Sequence, residues 1–293
     1  MVSEFHRAGA THPFAAGLAA GTVTDDTEQA LILAQVILES GRAFDAGLFA
    51  QRLLAWESDV QRRGLFDLLG PSTKRALENI ESGMDLSVSG RGGTTNGAAM
   101  RIAPVGIVCA SDDLTSLVDR VVEVCAPTHN SSVAIGAACA VAAAVSAGIS
   151  GATLHDATHF AVRSARMGET RALDVQGPSV ADRIEVALQL GASHHGLELL
   201  TVISEQLGSG LESIESVPAS FALLASYEAN SWEACCAAAS LGGDCDTIGA
   251  MTGAMAGSLA GSASFPPWSV SFVESHNSLD LASVARDLLA LRR

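Results

Sequence analysis

Two short stretches of this chain hold more carboxylate than their apolar surroundings explain. Gly242-Gly243-Asp244-Cys245-Asp246-Thr247 sets two aspartates one residue apart, behind two glycines and ahead of a run of small residues. Near the other end of the chain, Thr24-Asp25-Asp26-Thr27 repeats the theme. In each case a helical period begins just afterwards. Thr24 or Asp25, and Asp246 or Thr247, therefore fall where a helix N-cap is expected, and Asp and Thr both accept hydrogen bonds from free N–H groups there. Capping uses one carboxylate per helix and leaves the second of each pair without a role. Four carboxylates and several hydroxyls on two helix starts also make a set of hard oxygen ligands, suited to Mg²⁺ or Mn²⁺ rather than zinc. If the two stretches meet, two such cations offset the aspartates and recruit an anionic or polyol substrate.

Between them, Gly92-Gly93-Thr94-Thr95-Asn96-Gly97-Ala98-Ala99-Met100-Arg101 leads glycines into an Ala-rich segment. It is neither a Walker loop nor a dinucleotide fingerprint, but backbone N–H groups in such a setting can hold a phosphate. Arg101 could add a charge-assisted contact, or could equally form a buried structural pair. His129, in Pro127-Thr128-His129-Asn130, reads first as a capping or core residue. His155, His159, His194 and His195 have no partnering motif, and Cys245 reads as a small packing residue.

The elements that must position these groups are helical. Apolar residues at helical spacing run from about Thr27 to Glu39 and stop at Gly41. Further helices are expected at 44–62, 72–82, 114–125, 131–147, 155–166, 183–190, 195–207, 218–228, 231–240, 247–259 and 279–289, with a turn at 64–71. Alternating strands, repeats and linker-like runs are absent. The reading is one all-α domain over residues 1–293, of about a dozen helices, with the small-residue segments 131–147 and 247–260 as closely packed central helices.

Composition agrees: 48% of residues are hydrophobic but only 4% aromatic, so Ala, Leu, Val and Ile build the core. A net charge of −15 opposes a nucleic-acid or anionic-membrane surface. The uncharged run 130–154 is rich in Ala, Ser and Gly and reads as a buried helix rather than a membrane span. Six cysteines without CxxC spacing, and no signal segment, point to reduced thiols in a cytoplasmic protein.

Taken in order, Gly21–Leu31 (GTVTDDTEQAL), Thr95–Gly106 (TNGAAMRIAPVG), Thr128–Ala138 (THNSSVAIGAA) and Gly242–Gly257 (GGDCDTIGAMTGAMAG) resemble the ADP-ribosylglycohydrolase family, also called the dinitrogenase-reductase-activating glycohydrolase family. The resemblance implies a compact orthogonal multi-helix bundle with a binuclear Mg²⁺ or Mn²⁺ site. It sets Thr24, Asp25, Asp26, Asp244, Asp246 and Thr247 around the metals, with Asp26 and Asp246 in catalysis. It sets Gly93, Thr95, Asn96, Gly97, Arg101 and His129 toward the substrate. Family members usually carry an earlier helix and a turn ending in an active-site glutamate. From Met1 there is no room for that helix, and Glu4 would correspond to the glutamate. The activity implied is hydrolysis of the glycosidic bond between ADP-ribose and a modified residue or small molecule. Hydrolysis of another ribosyl or nucleoside-type compound, and ADP-ribose binding with weak catalysis, are the alternatives.

Overall fold

A computed structural model describes residues 1–10, 15–41, 44–62, 70–175, 177–228 and 230–292. The described chain is all-α, as the periodicity requires. The helices are α1 (Asp25–Ser40), α2 (Ala46–Arg62), α3 (Pro71–Glu81), α4 (Leu86–Ser89), α5 (Gly97–Met100), α6 (Ala103–Val108), α7 (Leu114–Cys125) and α8 (Ser132–Ile149). They continue as α9 (Leu154–Glu169), α10 (Val180–Ser193), α11 (Gly196–Val202), α12 (Ser213–Tyr227), α13 (Ser231–Ala239), α14 (Cys245–Ala260), α15 (Pro267–Asn277) and α16 (Leu281–Leu291). Among the described residues the only β-type pairings are isolated bridges, such as Arg91 with Asn130 and Thr95 with Glu212.

α8 is the axis of the bundle. It is long and apolar enough to cross a membrane, yet every residue from Ser132 to Gly148 is buried against other helices. An all-round apolar helix must be covered on every side, and its Ala and Gly content lets neighbours come near. A Cβ on Gly106 of α6 would meet the Ala142 carbonyl oxygen of α8 at 2.5 Å. On the other flank a Cβ on Gly148 would meet Ser258 Oγ of α14 at 2.4 Å. Arg292 ties down the C-terminal side, donating to the carbonyl oxygens of Gly106, Ile107, Cys109 and Ser146. These are the last carbonyls of α6 and α8, where a cation is favoured by the helix dipole.

Several expected boundaries shift for identifiable reasons. The helix expected to begin at Pro218 begins at Ser213 and runs through the proline. Pro218 has no N–H for the Ile214 carbonyl, and Arg183 Nε donates to that carbonyl instead. The segment expected as a helix over 195–207 is α11 followed by a π-helical turn at Ile203–Leu207. The sequence reading left α15 out altogether, although Pro267 at its first turn is a start signal. Of the expected turn at 64–71, residues 64–69 lie outside the described residues.

Two glycines test the packing in opposite senses. A Cβ at Gly191 would sit 2.2 Å from the Ala222 carbonyl oxygen, whereas one at Gly249 meets nothing nearer than the Ala238 Cβ at 3.8 Å. Gly191→Ala is expected to cost about 1–3 kcal/mol by overpacking. Gly249→Ala should stabilise by roughly 0.5–1 kcal/mol through helix propensity. Urea titrations of both variants check the difference in sign.

Candidate active site

The first carboxylates are presented by a loop that α15 holds from outside. Asn277 Nδ2 donates to the Gly21 carbonyl at 2.8 Å, and Asn277 Oδ1 accepts from the Val23 N–H at 3.1 Å. Thr22 Oγ1 and His276 Nε2 are 3.1 Å apart. Thr24 follows in extended conformation at the N-cap position of α1, which puts Asp25 and Asp26 in the first helical turn. The second pair is delivered by Gly242 and Gly243, at φ 83° and 69°, where a side chain is strained. Gly243 passes so near the Ser209 carbonyl oxygen that a Cβ would lie 2.2 Å from it. The Asp244 N–H then donates to the same oxygen at 2.7 Å, and α14 begins at Cys245.

Capping does not explain these residues. Neither Thr24 nor Asp244, the two N-cap residues, makes a side-chain capping bond. Thr24 Oγ1 instead donates to Asp26 Oδ2 at 2.8 Å. Thr247, which is buried, lies beside Asp26 and Asp244, and its hydroxyl works against the rise of both carboxyls. Carboxylate oxygens of Asp25, Asp26 and Asp246 lie within 4.8 Å of one another, with Asp25 and Asp26 buried and Asp246 at the solvent edge. The two helix starts therefore converge, and all six residues expected as metal ligands fall in one place.

Their electrostatics are unfavourable as they stand. Burial pushes Asp25 up to about 9, helped by the charges of Asp26, Asp246 and Asp244. Burial and Asp246 push Asp26 up to about 7 against the bond from Thr24. Asp244 is pushed up to about 6 by burial, with the Asn96 amide pulling the other way. In addition, Asp26 Oδ1 is buried without any hydrogen-bond partner. A buried carboxylate oxygen facing other carboxylates and no donor is costly. An oxygen-rich site of this kind fits a hard divalent cation.

The glycine-rich loop meets the same cluster, since Asn96 Nδ2 donates to Asp244 Oδ2 and to Ser216 Oγ. Gly93, Thr95, Asn96, Gly97, Arg101 and His129 are all brought together, and all are buried. The N–H groups of Gly93 and Asn96 are already engaged, by the carbonyls of Gly90 and Leu211. Gly93 and Gly97 serve close packing here: a Cβ on Gly93 would meet the Thr128 carbonyl at 2.7 Å, and one on Gly97 the His129 ring at 3.0 Å. Arg101, 1% exposed, bonds Gln29 and Thr128 and lies 5.4 Å from the centre of the Phe49 ring. His129 is wholly buried, and burial first, then the charges of Arg101 and Arg75, hold it well below the usual histidine range.

Glu4 is exposed, and the group formed by Asp25, Asp26 and Asp246 does not include it. Its segment is fixed by the Val2 N–H on Ser240 Oγ and by Phe5, which packs edge-on to Trp232 and Trp268 and stacks on Phe272. The sequence reading missed Gln29, Asn277 and His276. Gln29 was within reach, being one helical turn beyond Asp25 on the same face. The other two belong to the overlooked α15.

The chain belongs to the ADP-ribosylglycohydrolase family, whose model matches residues 2–293. A protein of Escherichia coli (strain K12) named "Uncharacterized protein YegU" is 34% identical over 278 residues, covering 92% of this chain and 81% of that one. An "Uncharacterized protein" of Archaeoglobus fulgidus is 34% identical over 239 residues, covering 80% of this chain and 71% of its own. The "ADP-ribosylarginine hydrolase Tri1" of Pseudomonas putida (strain GB-1) is 33% identical over 160 residues, covering 51% of this chain and 41% of that protein.

The raised carboxyls give a pH signature. A carboxyl whose folded pKa exceeds its unfolded value contributes stability at acid pH and loses it as pH rises through the folded pKa. With Asp244, Asp26 and Asp25 raised from 3.8 to about 6, 7 and 9, the protein in EDTA should melt at steadily lower temperature as pH climbs across the window from 3.8 to about 9. Asp25→Asn should flatten the upper part of the fall. Melting curves measured across the window check both, and a flat wild-type profile would contradict the proposed crowding.

Proposed function

We propose that this protein is a metal-dependent ADP-ribosyl glycohydrolase, acting on the bond between ADP-ribose and a modified residue or small molecule. Residues 1–293 are taken as one domain. The observation that carries the reading is the buried, partnerless Asp26 Oδ1 inside a cluster of four aspartates, in a member of this family. Thr24, Asp25, Asp26, Asp244, Asp246 and Thr247 would hold two Mg²⁺ or Mn²⁺ ions. When bound, such ions act as Lewis acids and lower the pKa of water.

The chain's own residues supply the rest. Asp246, at the open edge of the cluster, would take the proton from an incoming water. The water oxygen forms a bond to C1′ of the ribose, and the bond from C1′ to the leaving nitrogen or oxygen breaks. The leaving atom keeps that electron pair and gains a proton from solvent, to which Asp246 releases the one it took. Asp26, buried and held by Thr24, keeps the cluster's geometry constant through the reaction. Preorganised charge of this kind needs no rearrangement as the transition state forms. The Thr95–Gly97 loop forms the wall of the site through Asn96, with Arg101 and His129 behind it. The name of the Pseudomonas putida relative makes ADP-ribosylarginine the first linkage to test. Six free thiols are in keeping with a cytoplasmic location.

Turnover of an ADP-ribosylated peptide should require Mg²⁺ or Mn²⁺, stop in EDTA and return when either ion is restored. Asp246→Ala should lose more than about 100-fold, because even outer-shell partners of metal ligands cost about 10–100-fold. Equal turnover by wild type and variant sinks the proposed site. Tight ADP-ribose binding without turnover, together with the exposed Glu4, would favour the binding-protein reading.

A further inference from the structure

Arg101 is a buried cation that no carboxylate contacts directly among the described residues. Its Nε is buried without a partner, a burden on stability. Burial pushes it down to about 10, which still leaves it protonated near neutrality. Its bonds run in two directions, and their polarity is fixed because a guanidinium has donors and no acceptor.

The first arm leads into the acidic cluster. Arg101 Nη1 donates to Gln29 Oε1 at 2.7 Å. That fixes the orientation of the Gln29 amide, whose Nε2 then donates to Asp25 Oδ2 at 3.3 Å. The second arm leads into the loop. Arg101 Nη2 donates to Thr128 Oγ1, so the Thr128 hydroxyl accepts there. The other partner of this hydroxyl is His129 Nδ1, at 2.9 Å. For the hydroxyl proton to be used, it must be donated to that nitrogen, which leaves the ring proton of the neutral imidazole on Nε2. Nε2–H then donates to Thr95 Oγ1 at 3.1 Å. The ring also lies directly beneath Gly97. The Thr95–Gly97 backbone therefore rests on it, and with it Asn96, whose amide holds Asp244.

We infer that Arg101 is a positioning residue that sets both halves of the acidic cluster, through Gln29 to Asp25 and through Thr128, His129 and the Thr95–Asn96 loop to Asp244. It locks His129 as the Nε2–H tautomer, so that His129 supports the loop rather than exchanging protons with substrate. The link from this relay to cation affinity rests on the proposed metal site, whereas the tautomer does not.

Two measurements separate the parts. Long-range ¹H–¹⁵N spectra of the protein in EDTA, with the ring nitrogens labelled, should show His129 Nδ1 unprotonated and Nε2 protonated, unchanged across neutral pH. A protonated Nδ1 in wild type overturns the relay whatever any variant does. In Thr128→Val the tautomer should redistribute, and Thr128→Ser should restore it. Arg101→Lys should fail to restore both arms, since an ammonium cannot reproduce the planar fork. Mn²⁺ titration calorimetry should show affinity reduced about tenfold or more in Thr128→Val, as for outer-shell changes elsewhere, and recovered in Thr128→Ser. A wild-type tautomer in Thr128→Val overturns the lock, and a shifted tautomer with unchanged Mn²⁺ affinity overturns the coupling to the cluster. No Mn²⁺ binding by wild type defeats the metal reading and with it the coupling, and leaves the tautomer to be judged by its own spectrum.

Discussion

Crowding of like charge at two helix starts is the constraint around which the rest of this molecule is arranged. Asp25, Asp26, Asp244 and Asp246 would relax apart if the backbone allowed it. It does not, because each pair is held by contacts outside the cluster. Asn277 grips the loop before α1, and the Ser209 carbonyl grips the turn before α14. Burial raises the carboxyls of Asp25, Asp26 and Asp244, and their acidic neighbours raise them further. The strain is electrostatic, stored in side chains whose positions are set by hydrogen-bonded backbone.

Small residues make that arrangement possible. α14 can bring Asp246 near Asp25 only if it sits deep in the bundle against α8, and Gly148 beside Ser258 marks how near those two helices approach. Larger side chains at such contacts would push α14 outward and separate the two acidic pairs. The Ala- and Gly-rich composition that first reads as a feature of the core is thus also a condition for the site.

Much of this was legible in the chain. The period after Asp25 and the glycines before Asp244 announced two helix starts, and the oxygen-rich residue types announced the chemistry. The N-cap reading expected caps at Thr24 or Asp25 and at Asp246 or Thr247; the N-cap positions are Thr24 and, earlier than expected, Asp244. It fails because neither side chain turns toward the helix N–H groups, a matter of rotamer that spacing cannot convey. Pro218 misled for a related reason: a proline ends a helix unless another donor takes the orphaned carbonyl, and Arg183 is distant in sequence. Arg101 was weighed between a phosphate contact and a buried pair. Its actual partners, Gln29 and Thr128, are neutral, and no pattern of charges could have pointed to them.

The charge of the whole protein sharpens what the cluster must do. A chain at −15 repels a pyrophosphate at long range, and Arg101 is buried with two of its donors directed to Gln29 and Thr128. His129 is neutral and likewise buried. Two of the loop's N–H groups are committed to the protein's own carbonyls. On the proposed reading, cations held at the aspartates would add positive charge beside the partnerless Asp26 Oδ1, where an ADP-ribosyl group would be received. On that reading, neutralising the aspartates favours an anionic substrate, so cation binding and substrate binding would be coupled through charge.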